Sequence, residues 1–123
     1  MKKNNKGQKL WKKSLNIIPS GNMLFSKKSE LFLPNKWPSY YESSKGVNIW
    51  DLDGKKLNDL SFAVGTNILG YCNDEVDKSV KSIIDKGTMT TLNCYEEVHL
   101  AEKLIELHSW AGMVKFARSG GEA

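Results

Sequence analysis

The sequence predicts an α/β fold, on three observations. Two strand-like runs flank Asp53-Gly54, the segments 73–87 and 93–108 carry apolar residues at helical spacing, and Met113 to Ala117 reads as a short strand entering a glycine turn. At 123 residues the chain suffices for one small domain with a modest core. Its 40% hydrophobic and 26% charged residues are ordinary for a soluble globular protein, so no unusual class has to be invoked. No apolar run approaches the roughly 18 residues a bilayer span requires. Leu10, Trp11, Leu15, Ile17 and Ile18 are too interrupted by charge for a secretory signal. No membrane partner and a cytoplasmic location are expected.

The formal charge of +4 conceals an asymmetry. Six lysines and no acid lie in residues 1–13, leaving 12 of the 18 basic residues against all 14 acids in the rest. A basic arm on a near-neutral body is a poor reader of nucleic acid, so no such partner is expected and the arm reads as a solvated, frayed terminus. Cys72 and Cys94 lie 22 positions apart without zinc-ligand spacing, which predicts buried or half-buried free thiols in a reducing compartment.

In chain order, Gln8 to Ile18 place Leu10, Trp11, Leu15 and Ile18 near one helical face, and Pro19-Ser20-Gly21 ends that helix. It is expected to pack on the body or on a partner subunit. Residues 22–45 read as irregular, with Trp37, Tyr40 and Tyr41 stapling a long loop onto a core. Over Gly46 to Leu60 the strand runs form a hairpin, and Asp53-Gly54 supplies the positive φ angles of a two-residue turn. Asp51, Asp53 and Asp59 lack the oxygen spacing of a calcium loop, so no metal is expected. Ser61 to Tyr71 is a mixed apolar stretch in which Gly65 and Gly70 allow close approach by backbone or ligand.

Asn73 is placed to cap the next helix, Val76, Val80, Ile83 and Ile84 form its stripe, and Gly87 stops it. After a β-branched connector over 88–92, Asn93 is read as the cap of a second helix with Glu96 completing a capping box. Val98, Ala101, Leu104, Ile105 and His108 give that helix a face wide enough to be well buried. His99 and His108 read as packing or C-capping groups, not as acid–base catalysts.

The last eleven residues carry the local hint of chemistry. After the 113–117 strand, Ser119-Gly120-Gly121 turns the chain, and Glu122-Ala123 has the composition of a helix's first turn. Backbone N–H groups without Cβ obstruction can close around an anion, a helix N-terminus adds partial positive charge, and Ser119 offers a hydroxyl. The same turn is also common punctuation between a strand and a helix, and local chemistry leaves both readings open.

The order of the pieces adds a resemblance. Gly46-x-x-Ile-Trp-Asp-x-Asp-Gly54, Asp59, Ile68-Leu-Gly-Tyr-x-x-x-x-Val76, Glu97-x-x-x-Ala101-Glu-x-Leu104 and Val114-x-Phe-x-x-Ser-Gly-Gly-Glu-Ala123 follow one another as in a class III aminotransferase. From about residue 15 onward the chain resembles the N-terminal quarter to third of these fold type I, pyridoxal-phosphate-dependent enzymes, with the glutamate-1-semialdehyde aminomutase-like subgroup nearest in flavour.

The resemblance implies an α/β architecture in which an N-terminal helix and β-hairpin segment precede the start of a large three-layer αβα domain with a mostly parallel sheet. Residues 1–20 would be a basic arm and helix, 21–71 a small segment with the hairpin, and 72–123 the opening of the cofactor domain. Ser119, Gly120 and Gly121 match the turn that holds the cofactor phosphate. Residues 61–66, including Val64, and Thr90 in the connector match positions by the substrate. At those positions the aminomutases resemble Ser-Trp-Gly-Pro and Ser-Phe-Gly, where this chain has Ala63-Val64-Gly65-Thr66 and Met89-Thr90-Thr91. A substrate other than the semialdehyde, such as a keto-sugar or a small amine, therefore fits at least as well.

Partners implied are a small amino donor, a carbonyl acceptor and a second subunit of a homodimer. The lysine that bonds the cofactor and the Asp on its ring nitrogen fall downstream in the family, so these residues are expected to be the N-terminal part of a longer protein and inactive alone. Two further expectations are a non-catalytic module that pairs with full-length subunits, and a chain that does not fold stably because its sheet strand lacks neighbours.

Overall fold

A computed structural model describes residues 5–123 in two compact units, the first reaching Ser82 and the second covering Ile83–Ala123. Lys2 and Lys3 of the basic arm lie outside the described residues. Helix α1 spans Lys6–Ile17 and buries Gly7, Trp11 and Ser14, an i, i+4, i+7 stripe. Leu10, Leu15 and Ile18 stay 40%, 47% and 39% exposed, so the buried face is rotated from the one expected.

Polar ties set that rotation. Trp11 Nε1 donates to Glu30 Oε1 at 2.8 Å, and Gln8 Nε2 donates to the carbonyls of Lys36 at 3.1 Å and Trp37 at 2.8 Å. Gly7 lies so close to the Pro38 carbonyl that any Cβ would collide with it. Asn5 makes no side-chain cap; instead the Lys6 N–H donates to Asp53 Oδ2 at 3.0 Å. A carboxylate from 47 positions away thus meets an orphaned donor at the positive end of the helix. Pro19–Gly21 then forms a 3-10 turn, with Gly21 at φ 78 directly under the Trp11 ring. Among the described residues, Trp11 is the one large apolar side chain that is buried.

Residues 22–40 are largely irregular, as expected, with short 3-10 turns at Phe25–Lys27 and Ser29–Leu31. Trp37 stacks on Phe32 at 4.4 Å between ring centres, which staples this loop. The strand β1, Tyr41–Lys45, was not anticipated, because Tyr-Glu-Ser-Ser-Lys has neither apolar alternation nor a buried face. It pairs antiparallel with β2, Asn48–Asp51, through Ser43↔Trp50, Ser44↔Ile49 and Lys45↔Asn48. β2 pairs antiparallel with β3, Lys56–Asn58.

The β2–β3 hairpin is as predicted, but its turn is not. Asp51 N–H donates to the Lys55 carbonyl at 3.0 Å, closing a three-residue loop in which Gly54 has a positive φ and Asp53 does not. Asp51 Oδ1 accepts from the N–H groups of Asp53 and Lys55 at 2.9 and 2.8 Å, and this carboxylate closure favours the longer loop.

Helix α2 spans Asp74–Ile84 and α3 spans Tyr95–Leu107. Asn73 Oδ1 caps α2, accepting from Glu75 and Val76 N–H at 3.2 Å each, and Gly87 at φ 95 closes its C-terminal end. The expected capping box on α3 does not form. Cys94 takes the N-cap position without a side-chain cap, and its thiol donates to Glu96 Oε2 at 2.8 Å, which diverts that carboxylate from the backbone. His108 is the C-cap, its N–H returning to the Leu104 carbonyl at 2.9 Å, and His99 lies edge-on to Tyr95.

Neither α2 nor α3 has a fully buried residue. Val98 is 58% exposed, against the burial expected of the α3 face, and Val80 on the α2 stripe is 51% exposed. A helix stripe is buried only by a second layer, and the described residues supply none for α3 within its unit. Both cysteines are free and exposed for a related reason: each sits in the turn that leads into a helix, not on a covered face. Met113 to Ala117 is not a strand, since a strand exists through a neighbour's hydrogen bonds and the second unit offers none. Helices and sheet are both present, so the class is α/β, and every pairing among the described residues is antiparallel.

Trp11→Ala should cost the first unit about 3–5 kcal/mol, seen as a lower urea midpoint. Trp11→Phe, which keeps the ring and loses the bond to Glu30, should lower that midpoint less.

Candidate functional site

The segment that carries Val64 is built around one carboxylate. Asp59 follows β3, and its Oδ1 accepts from both the N–H and the hydroxyl of Ser61 at 2.9 Å. Its Oδ2 accepts from the Tyr71 hydroxyl at 2.5 Å. Tyr71 is also joined to Gly46 by reciprocal backbone bonds of 2.9 Å, and an added Cβ on Gly70 would press on Gly46. The 59–71 loop is therefore closed at both ends against the sheet.

Between those ends the chain takes an unusual path. Phe62, Ala63 and Val64 have φ of 46°, 52° and 61°, followed by Gly65 at 80°. L-residues visit this region singly, at a cost of about 1–2 kcal/mol each, and a β-branched valine there is an outlier. Gly65 N–H bonds the Ser61 carbonyl at 3.0 Å and Asn67 N–H the Phe62 carbonyl at 3.1 Å, so the run is internally bonded. Val64 is 91% exposed at its apex.

The Tyr71–Asp59 bond shifts both groups. Donation to the carboxylate, with some burial, pushes the Tyr71 phenol from 10.0 up to about 12. The same bond, aided by Ser61, holds Asp59 below the usual carboxylate range against the opposing effect of burial. A lowered acid stabilises the fold above its ordinary pKa and loses that contribution as pH falls through the lowered value. A raised phenol contributes fully below 10.0 and loses that contribution as pH rises through about 12. The lock is thus complete at neutral pH.

In the second unit Ser119, Gly120 and Gly121 come together as one exposed turn. The Ser119 carbonyl accepts from Glu122 and Ala123 N–H at 3.1 Å, i+3 and i+4 bonds that make the last residues a single helix-like turn. Glu122 folds back over it, Oε2 accepting from Arg118 N–H at 2.7 Å and Oε1 from its guanidinium at 3.0 Å. Among the described residues the N–H groups of Gly120 and Gly121 have no acceptor, and a Cβ on Gly120 would meet open space. Two unused backbone donors beside a serine hydroxyl form a donor set that fits a phosphate oxygen cluster. Thr90 lies elsewhere in this unit, in the connector turn, with its hydroxyl donating to the Leu92 carbonyl at 3.0 Å.

Spacing did not reveal the Asp59–Tyr71 lock or the Lys45–Asp74 ion pair, in which Lys45 Nζ also donates to the Cys72 carbonyl at 2.7 Å. The dispersed sites Asp59, Ile68-Leu-Gly-Tyr71 and Gly46 were the available signal, since each takes part in closing one loop. A cavity of about 190 Å³ under α1 is lined by Trp11, Glu30 and Trp37 and holds none of the expected site residues. No group of three potential metal ligands occurs among the described residues.

Comparison with known proteins gives consistent findings. Residues 34–123 match the family described as Aminotransferase class-III. The glutamate-1-semialdehyde 2,1-aminomutase of Hyperthermus butylicus is 33% identical over 114 residues, covering 93% of this chain and 26% of its own length. That of Methanococcoides burtonii is 32% identical over 118 residues, covering 96% of this chain and 27% of its own. The chain thus spans about a quarter of these relatives. The solved PLP internal aldimine form of the FumI protein of Sphingopyxis sp. MTA144 superposes with a TM-score of 0.83 at 26% identity, over 93% of this chain and 27% of that one. An omega-transaminase from Sphaerobacter thermophilus, at 24% identity and a TM-score of 0.82 over 99% of this chain and 27% of that one, shares the fold.

In an alkaline absorbance titration, the tyrosinate component removed by Tyr71→Phe should have its midpoint near 12, not near 10.0.

Proposed function

Because the chain belongs to the class-III aminotransferase family, we propose that it is the N-terminal part of a pyridoxal-phosphate-dependent aminotransferase or aminomutase. The parent protein moves an amino group between a small amino donor and a carbonyl compound. The match over residues 34–123 carries this reading, since it includes the loop of Val64, the connector of Thr90 and the turn of Ser119. Pyridoxal phosphate, when bound, supplies the electron sink for chemistry at the carbon bearing the amino group.

This chain's own part is to hold and to shape. The N–H groups of Gly120 and Gly121 and the hydroxyl of Ser119 bind the phosphate, and Glu122 keeps the turn folded through its two bonds to Arg118. Val64 and Thr90 contribute to the substrate wall, where side chains smaller than the aminomutase aromatics suit a keto-sugar or a small amine. Residues 72–123 open the cofactor domain. The lysine that bonds the cofactor belongs to another part of the protein, which works as a cytoplasmic homodimer. No helix among the described residues is long and apolar enough to cross a membrane.

Titrating the labelled chain with pyridoxal phosphate should shift the amide signals of residues 119–121, and Ser119→Ala should weaken the effect about threefold to tenfold, the worth of one hydrogen bond. Unmoved signals at millimolar cofactor would count against the cradle. The chain alone should give no borohydride-stable cofactor adduct and no amine turnover; finding both would place the lysine within these residues. A second reading, a module that pairs with full-length subunits, is favoured by the exposed stripe of Val76, Val80 and Ile84 on α2. Co-purification with a longer relative, without cofactor binding, would select it.

A further inference from the structure

We propose that Asp59 is a positioning residue: one carboxylate holds the run Phe62-Ala63-Val64 in the left-handed conformation, so that the loop displays Val64 in a fixed shape before any substrate arrives. That Val64 faces substrate rests on the functional reading above; the means by which the loop is held does not.

Three consecutive L-residues at positive φ persist only where the surroundings over-determine them. Packing of the apical side chain cannot supply this, because Val64 is 91% exposed and its burial offsets nothing. The bonds inside the run, Gly65 N–H to Ser61 and Thr66 Oγ1 to the Ala63 carbonyl at 2.9 Å, are local and last only while the run keeps this conformation, so they report it and do not anchor it. What fixes the run from outside is its two ends. At the entry, Asp59 Oδ1 takes both donors of Ser61. At the exit, Oδ2 takes the Tyr71 hydroxyl, while the Tyr71 backbone is held by Gly46 and its ring lies against Phe62 at 6.1 Å. Each carboxylate oxygen serves one end, and loss of either bond lets the run exchange its strained conformation for an ordinary one. The strain and the lock are therefore coupled, and the coupling can be measured.

Amide hydrogen exchange on this chain tests the proposal without cofactor. Asp59→Asn should speed exchange at Gly65 and Asn67 about tenfold or more, as expected for a lost charge-assisted bond, while amides of β2 and β3 keep their rates. Adding Val64→Gly should restore most of the protection, because glycine adopts the left-handed region without penalty. A lock with a merely structural role predicts no such rescue. Tyr71→Phe, which leaves the Ser61 bonds and the Gly46 bridge in place, is the milder variant and should speed the same two amides by a smaller factor.

Unchanged loop rates in Asp59→Asn and Tyr71→Phe, equal acceleration of loop and sheet in both, or absence of the glycine rescue would each overturn the proposal. So would a wild-type chain whose Gly65 and Asn67 amides exchange at the unstructured rate. Failure here leaves the phosphate turn at Ser119 untouched, and a turn that ignores pyridoxal phosphate leaves this loop untouched.

Discussion

The Asp59 carboxylate is shared among three donors, two on Ser61 and one on Tyr71. Through Tyr71 it reaches Gly46 at the β1–β2 turn, and through its own backbone N–H it is joined to the Val47 carbonyl at 2.8 Å. The loop beyond the sheet is thereby tied back to it at both ends by one anion, while the sheet's own pairings do not involve that carboxylate. Complete, this partly exposed network specifies a conformation that apolar contact would leave ambiguous, and incomplete, it frees the ends of the loop.

The first unit as a whole follows this logic. Its buried residues are Trp11, Ser14, Ser29 and two glycines, a set too small for an apolar core to dominate. Directional bonds do the fixing: Trp11 to Glu30, Gln8 to the 36–37 backbone, and Asp53 to the start of α1. The glycines are placed where backbones or rings approach, Gly7 beside Pro38 and Gly21 beneath Trp11. The helices of the second half show the opposite balance, with well-patterned stripes that remain half exposed.

What could be read from the residues was what local physics decides. Asn73 capped α2, Gly87 closed it, and Asp53-Gly54 marked a hairpin because each depends on the few residues around it. The exposed edge strand β1 carried no pattern, because its hydrogen bonds come from β2 and not from its own side chains. Residues 113–117 erred the other way, having a strand's composition without a partner. The rotation of α1 and the choice of Cys94 over Asn93 at α3 turned on single polar contacts, which apolar periodicity does not encode. Ser119, Gly120 and Gly121 did form a turn with free donors, a local property, whereas the left-handed run at Val64 arises from contacts twelve positions apart between Asp59 and Tyr71.

The bond between Lys6 and Asp53 also bears on the order in which the chain assembles. Closing a loop of that size carries an entropic cost that grows with the logarithm of its length, so contacts between near neighbours in sequence form sooner. The hairpin, whose strands are adjacent, can organise first and present its turn acid as a ready-made landing point. The N-terminal helix closes a loop of 47 positions onto that acid, so the entropic cost of its docking is incurred at a hairpin turn that needs no distant partner to form.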